Sequence, residues 1–165
     1  MTKTYHDSET LATGQQVITA CAFIHRRIND TDKVLMLKRA ATKKFLPDVF
    51  ELPGGHIDYG EDIVTGLRRE IKEELGVDVT IGDPFAVFTY LNEVKGSHSI
   101  EVIYFAQLTS DPDDINLNPE DHSALGWYVD EELSQVADQN KDVDDVEFVS
   151  IKKGFALLRG ERPSF

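Results

Sequence analysis

One helical segment, Asp62 to Leu75, constrains this chain more than any other stretch. It ends at Gly76, a common C-terminal stop. On a wheel of about 100° per residue with Glu70 at zero, Ile63, Leu67, Ile71, Val64 and Leu75 fall in one arc from about 20° to about 140°. That arc has to be buried against a partner layer. Glu74, at about 40°, lies inside it, Glu70 lies at its edge, and Glu73 sits about 60° beyond Glu70. Carboxylates set against an apolar face are costly unless something compensates them. Two compensations fit the pattern. One is a helix laced with ion pairs to Arg68, Arg69 and Lys72, although those residues occupy other parts of the wheel. The other is a hard divalent cation, which takes carboxylate and carbonyl oxygens and leaves positions for substrate phosphates.

Strand signals surround this helix. Gln16 to Arg26 is rich in β-branched and apolar residues, and Val34 to Leu37 forms a second strand after the turn signal Asn29 to Asp32. Val49 to Leu52 is a short strand halted by Pro53-Gly54-Gly55. Val77 to Asn92 is broken at Gly82-Asp83-Pro84, Ser99 to Leu108 is β-rich, and Leu125 to Val129 is a short strand around Trp127. Asp144 to Arg159 reads as a closing helix with Val146, Val149, Ile151 and Phe155 as its apolar positions. Strands before, between and after two helices give a mixed α/β class. Residues 1–14 read as a flexible N-terminal arm and 15–165 as a single domain, a length that suits one core.

Charge narrows the partners. Lys and Arg number 17 against 30 Asp and Glu, a net charge of −13. A field of that sign repels nucleic-acid backbone and anionic membrane. It admits a small anionic substrate where a bound cation inverts the local sign. The lone cysteine, Cys21, excludes an intrachain disulfide and reads as a small buried hydrophobe. The N-terminus carries no apolar signal region, and no stretch approaches a membrane span, so a cytoplasmic location is expected.

Glycines flank the helix and tilt the choice toward metal. Gly54-Gly55 precedes the loop that delivers it, where backbone can approach a ligand closely. Glu61 stands at or just ahead of the helix start, near the positive end of its dipole. The whole run is Gly55, five residues, Glu61, seven residues, then Arg69-Glu70-Ile71-Lys72-Glu73-Glu74-Leu75-Gly76-Val77. This resembles the signature of the Nudix hydrolase family, G-x5-E-x7-R-E-U-x-E-E-x-G-U with U aliphatic, at every fixed position. Glu51 to Gly55, Leu35 to Arg39 and Trp127 resemble further family segments, so the likeness covers about residues 15 to 158. Phe50 and Gly66 depart from the usual Trp and Ala.

The resemblance implies a Nudix-type α/β/α sandwich with a mixed β-sheet and a loop–helix–loop. It implies a pyrophosphohydrolase of nucleoside diphosphates linked to another group, working with Mg²⁺ or Mn²⁺. Gly54, Glu70, Glu73 and Glu74 are implied as metal ligands, and Glu61 and Arg69 as a pair that orients them. For the general base the family points to a Glu in the loop before the late strand. Glu120 is the candidate, with Glu101 and Glu73 as rivals. Arg39 and Lys38 are placed to meet phosphate, whereas His56 and His98 are not expected as ligands. A base pocket is expected between strands Gln16 to Arg26 and Val87 to Tyr90, with Phe23, Phe88 and Tyr90 offering aromatic faces. The Pro and Tyr that accompany ADP-ribose and diadenosine preferences in the family have no counterpart in Asn92 to Gly96. By elimination the chain resembles the mutator (MutT-like) group, which cleaves (deoxy)nucleoside triphosphates to monophosphate and pyrophosphate. An ADP-ribose or nucleotide-sugar pyrophosphatase and a non-catalytic nucleotide-sensing module are the alternatives. The expected partner is a small nucleotide, with no nucleic-acid polymer and no membrane, and with a homodimer left open.

Overall fold

In the computed structural model, residues 10–136 and 145–162 are described. Seven strands and three α-helices follow one another as β1 (Gln16–Ile28), β2 (Thr31–Arg39), β3 (Phe50–Glu51), β4 (Gly54–His56), α1 (Ile63–Leu75), β5 (Val79–Asn92), β6 (Ser97–Leu108), β7 (His122–Tyr128), α2 (Leu133–Val136) and α3 (Val146–Leu158). The sheet order is β3-β2-β1-β6-β5, with β4 added to β1 and β7 to β2. Pairing is mixed: β1 runs parallel to β6 and antiparallel to β2 and β4.

β1 organises the core because both of its faces are covered. Ala20, Ala22 and Ile24 point to one side, where Leu67, Ile71 and Leu75 of α1 meet them. Cys21 and Phe23 point to the other, where Ile151 and Phe155 of α3 pack. This is the period-2 alternation of a strand read simultaneously by two layers. The same split separates Leu35 and Leu37 from Val34 and Met36 in β2. Helices on both faces of a mixed sheet make the expected α/β/α sandwich.

Several boundaries differ from the sequence reading. The β1–β2 turn shrinks to Asn29-Asp30, both in the left-handed region at φ 50° and 61°, which lets both strands run longer. Gly54 and Gly55 do not end a strand. They form β4 against Ala20 and Cys21, a pairing that side-chain patterning cannot reveal because glycines carry none. β5 runs through Gly82-Asp83-Pro84, which is absorbed as register shifts between Ile81 and Ala86. α2 was not read from the sequence. In α3, Val146 and Val149 are exposed, and Ser150, Ile151, Gly154 and Phe155 form the buried face. Residues 1–9 of the expected arm lie outside the described residues. Residues 12–14 are docked, with Ala12 buried and the Ala12 and Gly14 amides donating to Lys95 and Gly96 carbonyls at 2.9 Å.

Asp62 sits at the N-cap of α1 rather than inside it. Its carboxylate accepts from the Thr65 amide at 3.0 Å and the Thr65 hydroxyl at 3.2 Å. Asp62→Ala is expected to cost about 1 kcal/mol. In a calorimetric melt of the metal-free protein that is a drop of about 2–4 °C. Gly66, unusual in a helix, has a packing reason: a Cβ there would lie 2.7 Å from both Ile57 Cδ1 and Glu61 Oε2.

Candidate active site

β4 and α1 face each other, and two glycines seat two carboxylates between them. The Gly54 amide donates to Glu74 Oε2 at 2.9 Å. Gly55 leaves room for Glu70, whose Oε2 would sit 2.5 Å from any added Cβ. Arg69 ties the loop to the helix. Its Nε and Nη2 donate to the two Glu61 oxygens at 2.8 and 3.0 Å, a bidentate clamp. Nη1 donates to Glu70 Oε1 at 2.9 Å and to Glu73 Oε2 at 3.3 Å, and Nη2 also donates to the His56 carbonyl at 3.0 Å. The wheel places Glu73, the i+4 neighbour, about 40° from Arg69 and Glu70 about 100° away, an arc that a guanidinium on a long stem spans.

Burial sets the electrostatics. Desolvation raises the Glu74 carboxyl well above its ordinary value, and the charges of Glu51 and Glu70 raise it further. Desolvation likewise pushes Glu70 up to about 7 against the opposing pull of Arg69. Arg69 is held protonated chiefly by its hydrogen bonds to Glu61. Among the described residues no three His, Cys, Asp or Glu side chains stand as a ready-made metal cluster. The donor chemistry nevertheless fits a hard divalent cation. Carboxylates and a backbone carbonyl supply oxygen only, and the buried Glu74, raised further by the charges of Glu51 and Glu70, has no cationic side chain among its hydrogen-bond partners in the described residues.

Glu61, Arg69, Glu70, Glu73, Glu74 and Gly54 are therefore brought together, and all except Glu61 border one cleft of about 190 Å³. Arg39 and Tyr90 also line it. Arg39 is buried and committed to Glu51 Oε1 at 3.2 Å and the Phe45 carbonyl at 3.0 Å. Glu120 is exposed, its amide donating to Asn118 Oδ1 at 3.1 Å, and it does not line the cleft, which its neighbours Asp121 and His122 border. Phe23 is a correction: it is fully buried against Phe85, Phe105 and Phe155 and offers no face to a ligand. Phe88 is partly buried and lines an adjoining groove of about 660 Å³ with Tyr90 and Leu91. Trp127 packs on the α1 side of the core, under Arg26. His56 is buried at the end of β4, and His98 lies in β6.

Apart from Glu101, named above as a rival for the base, the opposite wall is absent from the sequence reading. His122 is buried and shares a 2.9 Å hydrogen bond with Glu51 Oε1. Burial alone would raise Glu51, but His122 and Arg39 hold it below the usual carboxylate value. Asp121 pairs with Lys43 at 2.7 Å. Glu101 lies buried beneath the cleft, accepting from Thr19 Oγ1 at 3.3 Å. A signal was available for Glu51: like Glu101, it is a carboxylate inside an apolar strand run, which demands a partner or a ligand.

Comparison with known proteins agrees with this architecture. A CTP pyrophosphohydrolase of Escherichia coli (strain K12) is 28% identical over 132 residues, covering 80% of this chain and 88% of the relative. An 8-oxo-dGDP phosphatase of Mus musculus is 29% identical over 102 residues, 61% of this chain, and the chain spans only 29% of that relative's length. The crystal structure of a C. elegans Ap4A hydrolase binary complex superposes with a TM-score of 0.69 at 28% identity, covering 87% of this chain and 98% of the other. No helix among the described residues is long and apolar enough to cross a membrane. The NUDIX domain family matches residues 18–153, which takes in the clamped helix and, apart from the first two residues of β1, the described strands, and the chain belongs to that family.

Proposed function

We propose that this chain is a divalent-metal-dependent pyrophosphohydrolase of nucleoside diphosphate derivatives, with a (deoxy)nucleoside triphosphate as substrate and nucleoside monophosphate plus pyrophosphate as products. The observation that carries the reading is a pair of carboxylates, the half-buried Glu70 and the buried Glu74, seated on Gly54-Gly55 beside an aromatic-walled groove. Relatives named for CTP, 8-oxo-dGDP and Ap4A support the nucleotide class.

Glu70, Glu73, Glu74 and the Gly54 carbonyl would hold Mg²⁺ or Mn²⁺. Bound there, the cation supplies neutralisation of phosphate oxygens and activation of the attacking water. Arg69 fixes Glu61, Glu70 and Glu73 in one constellation, so the carboxylates are oriented before substrate arrives. Glu120, Glu101 and Glu73 remain the candidates for taking the water's proton, and Glu73, about half exposed at 46%, and the buried Glu101 are the two that border the cleft. Phe88 and Tyr90 offer ring faces to the base. The test is pyrophosphate and phosphate release over a panel of nucleoside triphosphates, ADP-ribose, nucleotide sugars and diadenosine polyphosphates, with Mg²⁺ and with EDTA. Triphosphate turnover that EDTA abolishes is expected. Turnover confined to ADP-ribose or sugar nucleotides overturns the triphosphate assignment, and binding without any turnover overturns the enzyme.

A further inference from the structure

The phosphate-facing cleft and the aromatic groove share a border. Cys21, Phe45, Glu51, Tyr90 and Glu101 line both. In a nucleotide, the part joining the phosphates to the base is the pentose, so groups on this border face the sugar. Two of them carry a carboxyl. Glu51 is committed to Arg39 and His122. Glu101 is different: it is 94% buried by its 6% exposure, and its Oε1 has no hydrogen-bond partner among the described residues. Its other oxygen is held by Thr19 across the β1–β6 pairing. In the β5–β6 register Glu101 stands directly opposite Phe88, and alternation puts Tyr90 on that same face. A buried carboxyl oxygen without a partner costs stability unless a ligand satisfies it.

We propose that Glu101 is a specificity-determining residue that hydrogen-bonds a pentose hydroxyl, 2′ or 3′, of the nucleotide. This rests on the nucleotide reading above. Carboxyls suit the task, since an acidic side chain on a sugar hydroxyl is a recurrent way of holding a ribose. A hydroxyl suits this position better than a phosphate oxygen, because it can donate to an unpartnered carboxyl oxygen as well as accept. Burial and the neighbouring charge of Glu147 raise the Glu101 carboxyl, and a protonated carboxyl can donate to a hydroxyl as well as accept from it.

The experiment measures kcat and KM with Mg²⁺ on one base carried as the ribo-, 2′-deoxy-, 3′-deoxy- and 2′,3′-dideoxynucleoside triphosphate. Wild type, Glu101→Leu and Glu101→Gln are compared, with melting curves showing that each is folded. A site built to bond a hydroxyl rejects the analogue lacking it. Wild type is expected to prefer the hydroxylated sugar by on the order of 10–100-fold in kcat/KM, mostly through KM. The 2′-deoxy and 3′-deoxy arms identify which hydroxyl is read. Glu101→Leu is expected to bring that ratio close to one, and Glu101→Gln, which keeps an acceptor, to retain part of it. Wild type that turns over the dideoxy substrate equally well overturns the assignment. So does Glu101→Leu with a lowered kcat on every sugar and an unchanged ratio, the signature of a general base. Absence of turnover with every nucleotide overturns the pyrophosphohydrolase reading itself, and the sugar assignment with it.

Discussion

Glu74→Gln is expected to lower kcat for nucleotide hydrolysis by on the order of 10²–10³ while leaving the protein folded. Glu74 is buried to 7% exposure and held by the Gly54 amide, and its proposed role there is to meet a cation. The same substitution separates function from stability. The folded-state carboxyl is raised above its ordinary value by burial, so the native protein binds its proton more tightly than the unfolded chain does. Stability of the metal-free wild type must then fall as pH rises from the ordinary carboxylate range. Glu70 adds to this fall between 4.5 and about 7. Metal-free wild type is therefore expected to melt higher near pH 5 than near pH 8, and Glu74→Gln is expected to flatten that slope. Saturating Mg²⁺ at 100 times its Kd should restore about 2.7 kcal/mol to the wild type at pH 8 and much less to the variant. Calorimetric melts at the two pH values, with Mg²⁺ and with EDTA, give all four quantities. Full activity of Glu74→Gln, or a wild type indifferent to Mg²⁺, would remove the carboxylates from the chemistry.

What the chain discloses in advance follows from which signals are local. The α1 wheel separates a core arc from a carboxylate edge because a helix writes its burial into spacing within a few turns. The covered β1 strand is equally legible, since Ala20 to Ile24 are apolar on both faces. The far wall of the cleft is not legible in this way. Arg39, Glu51 and His122 come from β2, β3 and β7, and only the β2–β7 and β2–β3 pairings bring them together. The loop that holds Glu120 is equally hard to read in advance. The turn at Asn118 directs Glu120 outward, while Asp121 and His122 point in. A one-residue offset in a turn changes which side chain reaches the site, and periodicity carries no record of it.

Gly54→Ala is expected to be the most damaging single methyl in the chain, costing roughly 3 kcal/mol or more of stability. Gly54 holds φ at +147°, a conformation that L side chains rarely adopt. Strain is the smaller part. A Cβ there would run into the Ala20 carbonyl oxygen and come within 2.7 Å of Cys21 Cα. Those are main-chain atoms of β1, which is pinned by β6 along one edge and covered by a helix layer on each face, so neither can step aside. The only relief is to peel β4 away from Ala20 and Cys21, and β4 carries the amide that holds Glu74. Activity should therefore fall together with stability, unlike Glu74→Gln, where the two part. Gly60→Ala supplies the control, because Gly60 also has a positive φ, +80°, but a Cβ there meets nothing within 4 Å. It is expected to cost only about 1 kcal/mol and to leave turnover near the wild-type level. Chemical denaturation of the three proteins side by side measures the difference. Equal losses for the two glycines would mean that backbone strain alone, and not the approach of β4 to β1, fixes a glycine at position 54.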